Sequence, residues 1–103
     1  MRERDIQKQI TEYLNYALPW WMKAHAGRRH GVLLAPAGTP DIIGYDHDGY
    51  VVFIEVKTPN GRLTPEQEQF RKDVLNNGGA IYILARSVED VRKGLKRERK
   101  HRH

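Results

Sequence analysis

The stretch YVVFIEVK, residues 50–57, constrains this chain more than any other. Val52, Ile54 and Val56 alternate with Phe53, Glu55 and Lys57. β-Branched and aromatic residues at this density form strands, and a strand apolar on both sets of positions is covered on both faces. The stretch therefore belongs in the middle of a sheet. What flanks it fixes the connections. Thr64 caps a helix with Pro65 at its first position, the helix is expected to reach about residue 76, and NNGG stops it. AIYILA, residues 80–85, is the next strand. Strand, helix and strand in that order make a parallel pair joined by a right-handed crossover. Before the central strand, DIIGY and the turn DHDG (residues 46–49) signal a hairpin, hence an antiparallel partner. The expected class is α/β, a central mixed β-sheet flanked by helices.

The ends supply the other helices. Ile6, Ile10, Tyr13, Leu14 and Ala17 recur at helical spacing over residues 3–18, and Pro19 closes the segment. Ser87 caps a last amphipathic helix with Val88, Val91 and Leu95 on its inner face. Between the first helix and the hairpin, WWMKAHAGRRHGV leads into a loop rich in Gly, Arg and His. VLLA, residues 32–35, reads as a short strand, and PAGTPD is a turn-rich approach to Asp41. Trp20 and Trp21 are expected as core or subunit-interface anchors.

The chain has 103 residues, enough for one core. One domain is expected over 1–96, followed by a basic, disordered tail over 97–103. There is no cysteine, so neither a disulfide framework nor a thiolate metal site exists. No apolar run has the length of a membrane span. The start MRERDIQKQI has no signal-peptide core, and a cytoplasmic location, in a bacterium or phage-infected cell, is expected. A net charge of +5 favours a polyanionic partner, although much of it lies in KRERKHRH.

Glu55 and Lys57 are where the central strand departs from its own pattern. Alternate strand residues share a face, so the two point the same way. Asp41 stands at the start of the partner strand and comes near them. Two carboxylates and an ammonium then converge. Hard cations such as Mg²⁺ take one or two carboxylates plus water and substrate phosphate, and a compact ammonium can hold a phosphate or position a water. The alternative is a Glu–Lys pair on a solvated face with Asp41 opening a turn. The loop GRRHG offers Arg28, Arg29 and His30 to phosphates, with Arg62 and Lys23 as further candidates, or it is simply a solvated loop. DHD reads as a hairpin turn rather than a metal site.

GTPD (residues 38–41), EVK (55–57) and LTPEQ (63–67), in this order, resemble the virus-type replication-repair nuclease domain, VRR-NUC, of the PD-(D/E)xK nuclease superfamily. The likeness runs from the first helix to GGAIYIL. It implies a restriction-endonuclease-like core and a Mg²⁺- or Mn²⁺-dependent phosphodiesterase acting on DNA. Asp41 and Glu55 match the family's metal-binding carboxylates, Lys57 its catalytic lysine and Gln67 its active-site glutamine. The Val56 carbonyl is a further metal oxygen. The family's first-helix glutamate maps to Glu3, which shares a face with Ile6 and Leu14, whereas Glu12 projects off that face.

Two of these residues keep an alternative. Thr64-Pro-Glu-Gln67 also has the spacing of a capping box, and Glu3 is also a first-turn acid that the helix dipole favours. Compact members of the family resemble homodimers that cut branched DNA such as four-way junctions. The rival expectation is a nucleic-acid-binding module without catalysis.

Overall fold

The computed structural model describes residues 1–25, 27–29 and 32–101, excluding the side chains of 27–29, 32–34 and 98–101. The elements run α1 (Glu3–Ala17), β1 (Trp20–Lys23), β2 (Gly27–Arg29), β3 (Val32–Ala35), β4 (Ile42–Tyr45), β5 (Val51–Val56), α2 (Pro65–Asn77), β6 (Ile81–Ala85) and α3 (Val88–His101). The main sheet has the order β1-β4-β5-β6. β4 is antiparallel to both β1 and β5, and β5 is parallel to β6 through the α2 crossover. The apolar stretch is therefore central, as its composition requires. This mixed sheet with its helices is a restriction-endonuclease-like core.

Alternation along β5 divides the molecule in two. Val52, Ile54 and Val56 face Ile6, Ile10 and Leu14 of α1 and Val91 and Leu95 of α3 across one buried core. Each such side chain contributes about 1.5–3 kcal/mol by leaving water. A Cβ at Gly94 would lie 2.8 Å from the Ile83 side chain, so α3 rests directly on β6 there. Phe53, on the other face, meets Phe70 of α2 edge-on at 5.0 Å between ring centres. Phe70 also reaches Tyr82.

The hairpin turn is built from Asp46, whose Oδ1 accepts the Asp48 and Tyr50 N–H groups at 3.0 and 2.9 Å. DHD is a turn, as its spacing suggests.

Two expectations need correction. Trp20–Lys23, read as the lead-in to a loop, is an edge strand. Pro19 ends α1 only one residue before it, and Trp21 packs against the core while its Nε1 donates to Asn15 at 3.1 Å. Arg28 and Arg29, placed in a loop, lie on β2, which pairs with β3 as a separate ribbon. α3 runs on to His101. Arg, Glu and Lys are good helix formers and nothing in that stretch breaks the turn. No helix of the described residues is long and apolar enough to cross a membrane.

Candidate active site

Register brings the two acids together. Ile42 is opposite Ile54, and the ladder continues to Tyr45 opposite Val51. One residue further, Asp41 faces Glu55. Directly opposed residues share a face, with Cβ atoms about 4.5–5.5 Å apart. Asp41 is held by backbone on both sides. Its Oδ2 accepts the Val56 N–H at 2.8 Å, and its carbonyl accepts the Ala24 N–H at 2.8 Å. The preceding turn is closed by Thr39, whose Oγ1 donates to the Pro36 carbonyl at 2.7 Å. Gly38 has a φ of +91° and its absent Cβ would sit 2.4 Å from the Glu66 carbonyl oxygen. Only glycine lets the GTPD turn lie this close against the first turn of α2.

Glu55 is 1% exposed, and among the described residues no N–H or hydroxyl donor reaches either carboxylate oxygen, which lies against the Asp41 carboxyl. Burial above all pushes its carboxyl up to about 9, and the neighbouring Asp41 adds to the rise. The Lys57 charge pulls the other way, and the Glu3 charge adds a smaller upward push. A buried acid without donors is costly to ionise. A hard cation would relieve both that cost and the Asp41–Glu55 repulsion, so the donors fit such an ion. The Val56 carbonyl points to the same side as its N–H, towards Asp41, because both groups of a strand residue face one neighbour. Among the described residues no three acidic or histidine side chains lie close enough to hold an ion unaided. The protein's share is then two carboxylates and a carbonyl, which suits an ion that keeps water and binds phosphate.

The other expected residues divide. Lys57 is half-buried, beside Glu55, with its N–H on the Ala85 carbonyl at 3.0 Å. Glu3 is exposed at the start of α1, within electrostatic reach of Glu55. Glu12 is exposed further along the same helix. Gln67 closes the capping box: its Oε1 accepts the Thr64 N–H at 2.9 Å and its own N–H donates to Thr64 Oγ1 at 3.2 Å. Arg62 is exposed in the loop after Lys57. Lys23 pairs with Ile42 and so sits on the sheet face opposite to Asp41 and Glu55. The side chains of Arg28 and Arg29, and His30 altogether, lie outside the described residues.

Arg86 was not foreseen. It follows β6, and its Nη1 donates to the carbonyls of Thr58, Gly61 (2.7 Å) and Pro59 (3.3 Å). Its backbone N–H donates to Asp90 Oδ2 at 2.9 Å. The loop leaving Lys57 is thereby tied to the end of β6. A single arginine between a strand and a helix cap has no spacing to mark it. Tyr82 also escaped notice. Its hydroxyl is buried without a partner among the described residues, and burial first and the Glu55 charge second raise its pKa.

A family model described as the VRR-NUC domain matches residues 29–89, more than half of the chain. No curated protein matches it.

Proposed function

The chain belongs to the VRR-NUC domain family, and from that premise we propose that it is a divalent-metal-dependent endonuclease cutting branched DNA, with four-way junctions as its substrate. A nuclease-type function follows from the family, and nucleases of this family generally use divalent metals. The observation that supports the finer reading is the pairing of Asp41 with a buried, donor-free Glu55. Asp41, Glu55 and the Val56 carbonyl would hold Mg²⁺ or Mn²⁺, and Glu3 would reach it through water. The bound ion polarises the phosphoryl group and makes its water more acidic.

Phosphodiester hydrolysis forms a bond from the water oxygen to phosphorus, breaks the bond to the leaving sugar oxygen, and builds negative charge on the phosphoryl oxygens. Lys57, half-buried beside Glu55, would orient the water and offset that charge as an ammonium, or take the water's proton where it is neutral. Arg86 is a positioning residue, acting through the loop that follows Lys57. Gln67 serves as cap in this arrangement, and its side chain would turn to the site when substrate is bound. Arg62, with Arg28, Arg29 and His30 of the ribbon region, would grip flanking phosphates, which position a duplex without reading its sequence.

We place a two-fold dimer at the sheet face that α2 leaves uncovered. Trp20, Met22, Tyr45 and Val51 are exposed there, with Trp20 stacked on Tyr45 at 5.9 Å. Exposed apolar patches mark interaction surfaces, and two-fold symmetry would present two active sites to a symmetric junction.

The test incubates the protein with a labelled four-way junction, a flap and a linear duplex, with Mg²⁺, Mn²⁺ or EDTA. Metal-dependent nicking of the junction in preference to the duplex is expected. Binding without cleavage in any metal would favour the non-catalytic module, and cleavage that survives EDTA would remove the metal mechanism.

A further inference from the structure

A cleft of about 800 Å³ runs along the free edge of β6, between α2 and α3. Arg71 and Leu75 of α2 form one wall, Lys93 and Arg97 of α3 the other, and Tyr82 and Leu84 the floor. Its charge is one-sided. Arg71, Arg86, Lys93 and Arg97 line it against a single acid, Asp90. That acid already accepts the Arg86 N–H. The Arg86 guanidinium is turned to the loop carbonyls, and Arg71 is paired with Glu68 at 3.2 Å. Lys93 and Arg97 are exposed and make no hydrogen bond or ion pair with the described residues. They stand one helical turn apart on the same side of α3, about 6 Å along the axis. Ordinary solubilising charge mixes both signs. Here two cations line a concave surface whose one acid, Asp90, is engaged by the Arg86 N–H, and only Lys93 feels a further acid, Glu89, which is itself bonded to Arg92.

We propose that this cleft binds the sugar–phosphate backbone of one nucleic-acid strand, outside the cleavage centre. Lys93 and Arg97 hold successive phosphates, and Leu75, 54% exposed, receives a sugar or base. Arg86 sits where the cleft meets the loop leaving Lys57, so a strand in the cleft leads to the scissile phosphate. The identity of the strand rests on the nuclease reading, whereas the cleft itself shares no residue with the acids.

The test is fluorescence anisotropy in EDTA across a salt series, with a labelled single strand and a duplex of the same sequence. The unaltered chain is compared with Lys93→Gln/Arg97→Gln. The control, Lys8→Gln/Lys96→Gln, makes the same charge change at exposed positions outside the cleft. Thermal melts confirm folding of both. The cleft variant is expected to bind at least about tenfold more weakly. Its log K against log salt slope should flatten by about 1.4 if the occupant is single-stranded and by about 1.8 if it is duplex. The control should match the wild type. Unchanged affinity and slope in the cleft variant, equal losses in the control, or no binding by the wild type would each overturn the proposal. Junction nicking in Mg²⁺ is read separately. Nicking together with unaltered binding by the cleft variant removes the cleft alone, and cleft-dependent binding without nicking removes the nuclease reading alone.

Discussion

Replacing Glu55 by glutamine should stabilise the metal-free protein at slightly alkaline pH while abolishing its nuclease activity. The folded-state carboxyl lies near 9 against an ordinary value of 4.5. Below the lower value both folded and unfolded chains carry the proton. Above it the unfolded chain releases its proton while the folded one must retain it, so stability is lost progressively as pH rises towards 9. At pH 8 the loss is roughly 5 kcal/mol, from about 1.4 kcal/mol per pH unit. Glutamine never titrates, so the variant escapes that loss. Burying an amide without partners takes back about 1–3 kcal/mol. The net gain is about 2–4 kcal/mol at pH 8, or at least about 8 °C in Tm for a domain of this size. At pH 5.5 the loss in the wild type is only about 1.4 kcal/mol, and the advantage of glutamine should vanish. Thermal melts in EDTA at both pH values measure this. Excess Mg²⁺ should then raise the wild-type Tm at pH 8 and leave the variant unmoved. A variant that melts at or below the wild type at pH 8, or a difference equal at the two pH values, would refute the account of Glu55 as a buried acid held in readiness for a cation.

Lys57→Ala should reduce junction nicking on the order of a hundredfold, as expected for one charge-stabilising group, with binding in EDTA retained. Arg86→Ala should lower stability by about 2 kcal/mol, because a charged donor leaves three carbonyls. It should also lower kcat more than KM and speed proteolysis within residues 58–62, without rescue by Arg86→Lys; a wild-type kcat in a loosened loop would remove its positioning role. Met22→Glu should turn a dimer into a monomer by light scattering, and an unchanged mass would place the interface elsewhere.

The central strand and its crossover were legible because Val52, Ile54 and Val56 sit within a flanking grammar of cap, stop and turn. The first helix was legible for the same reason, since one stripe of Ile6, Ile10 and Leu14 has a single periodicity. β1 was not. Trp20 and Met22 are exposed and Trp21 only partly buried, so the alternation that reveals a buried strand is absent, and β4 alone defines it. Of the candidate site, the juxtaposition of Asp41, Glu55 and Lys57 could be read from order and alternation. The burial of Glu55 could not, because it depends on what α2 and β6 lay over that face. Gln67 carried two compatible signals at one spacing, and the geometry exhibits the cap. Arg86 acts across a chain separation of more than twenty residues, and no local pattern encodes such a tie.

The turn at Asp46 lies at the far end of the hairpin from the acids, yet it dictates where they meet. Its two side-chain-to-backbone bonds fix the length of the connection. A hairpin one residue longer would shift β4 by one place against β5 and send Asp41 to the opposite surface of the sheet. The spacing of the two acids is thus metered by an aspartate at the opposite end of the hairpin.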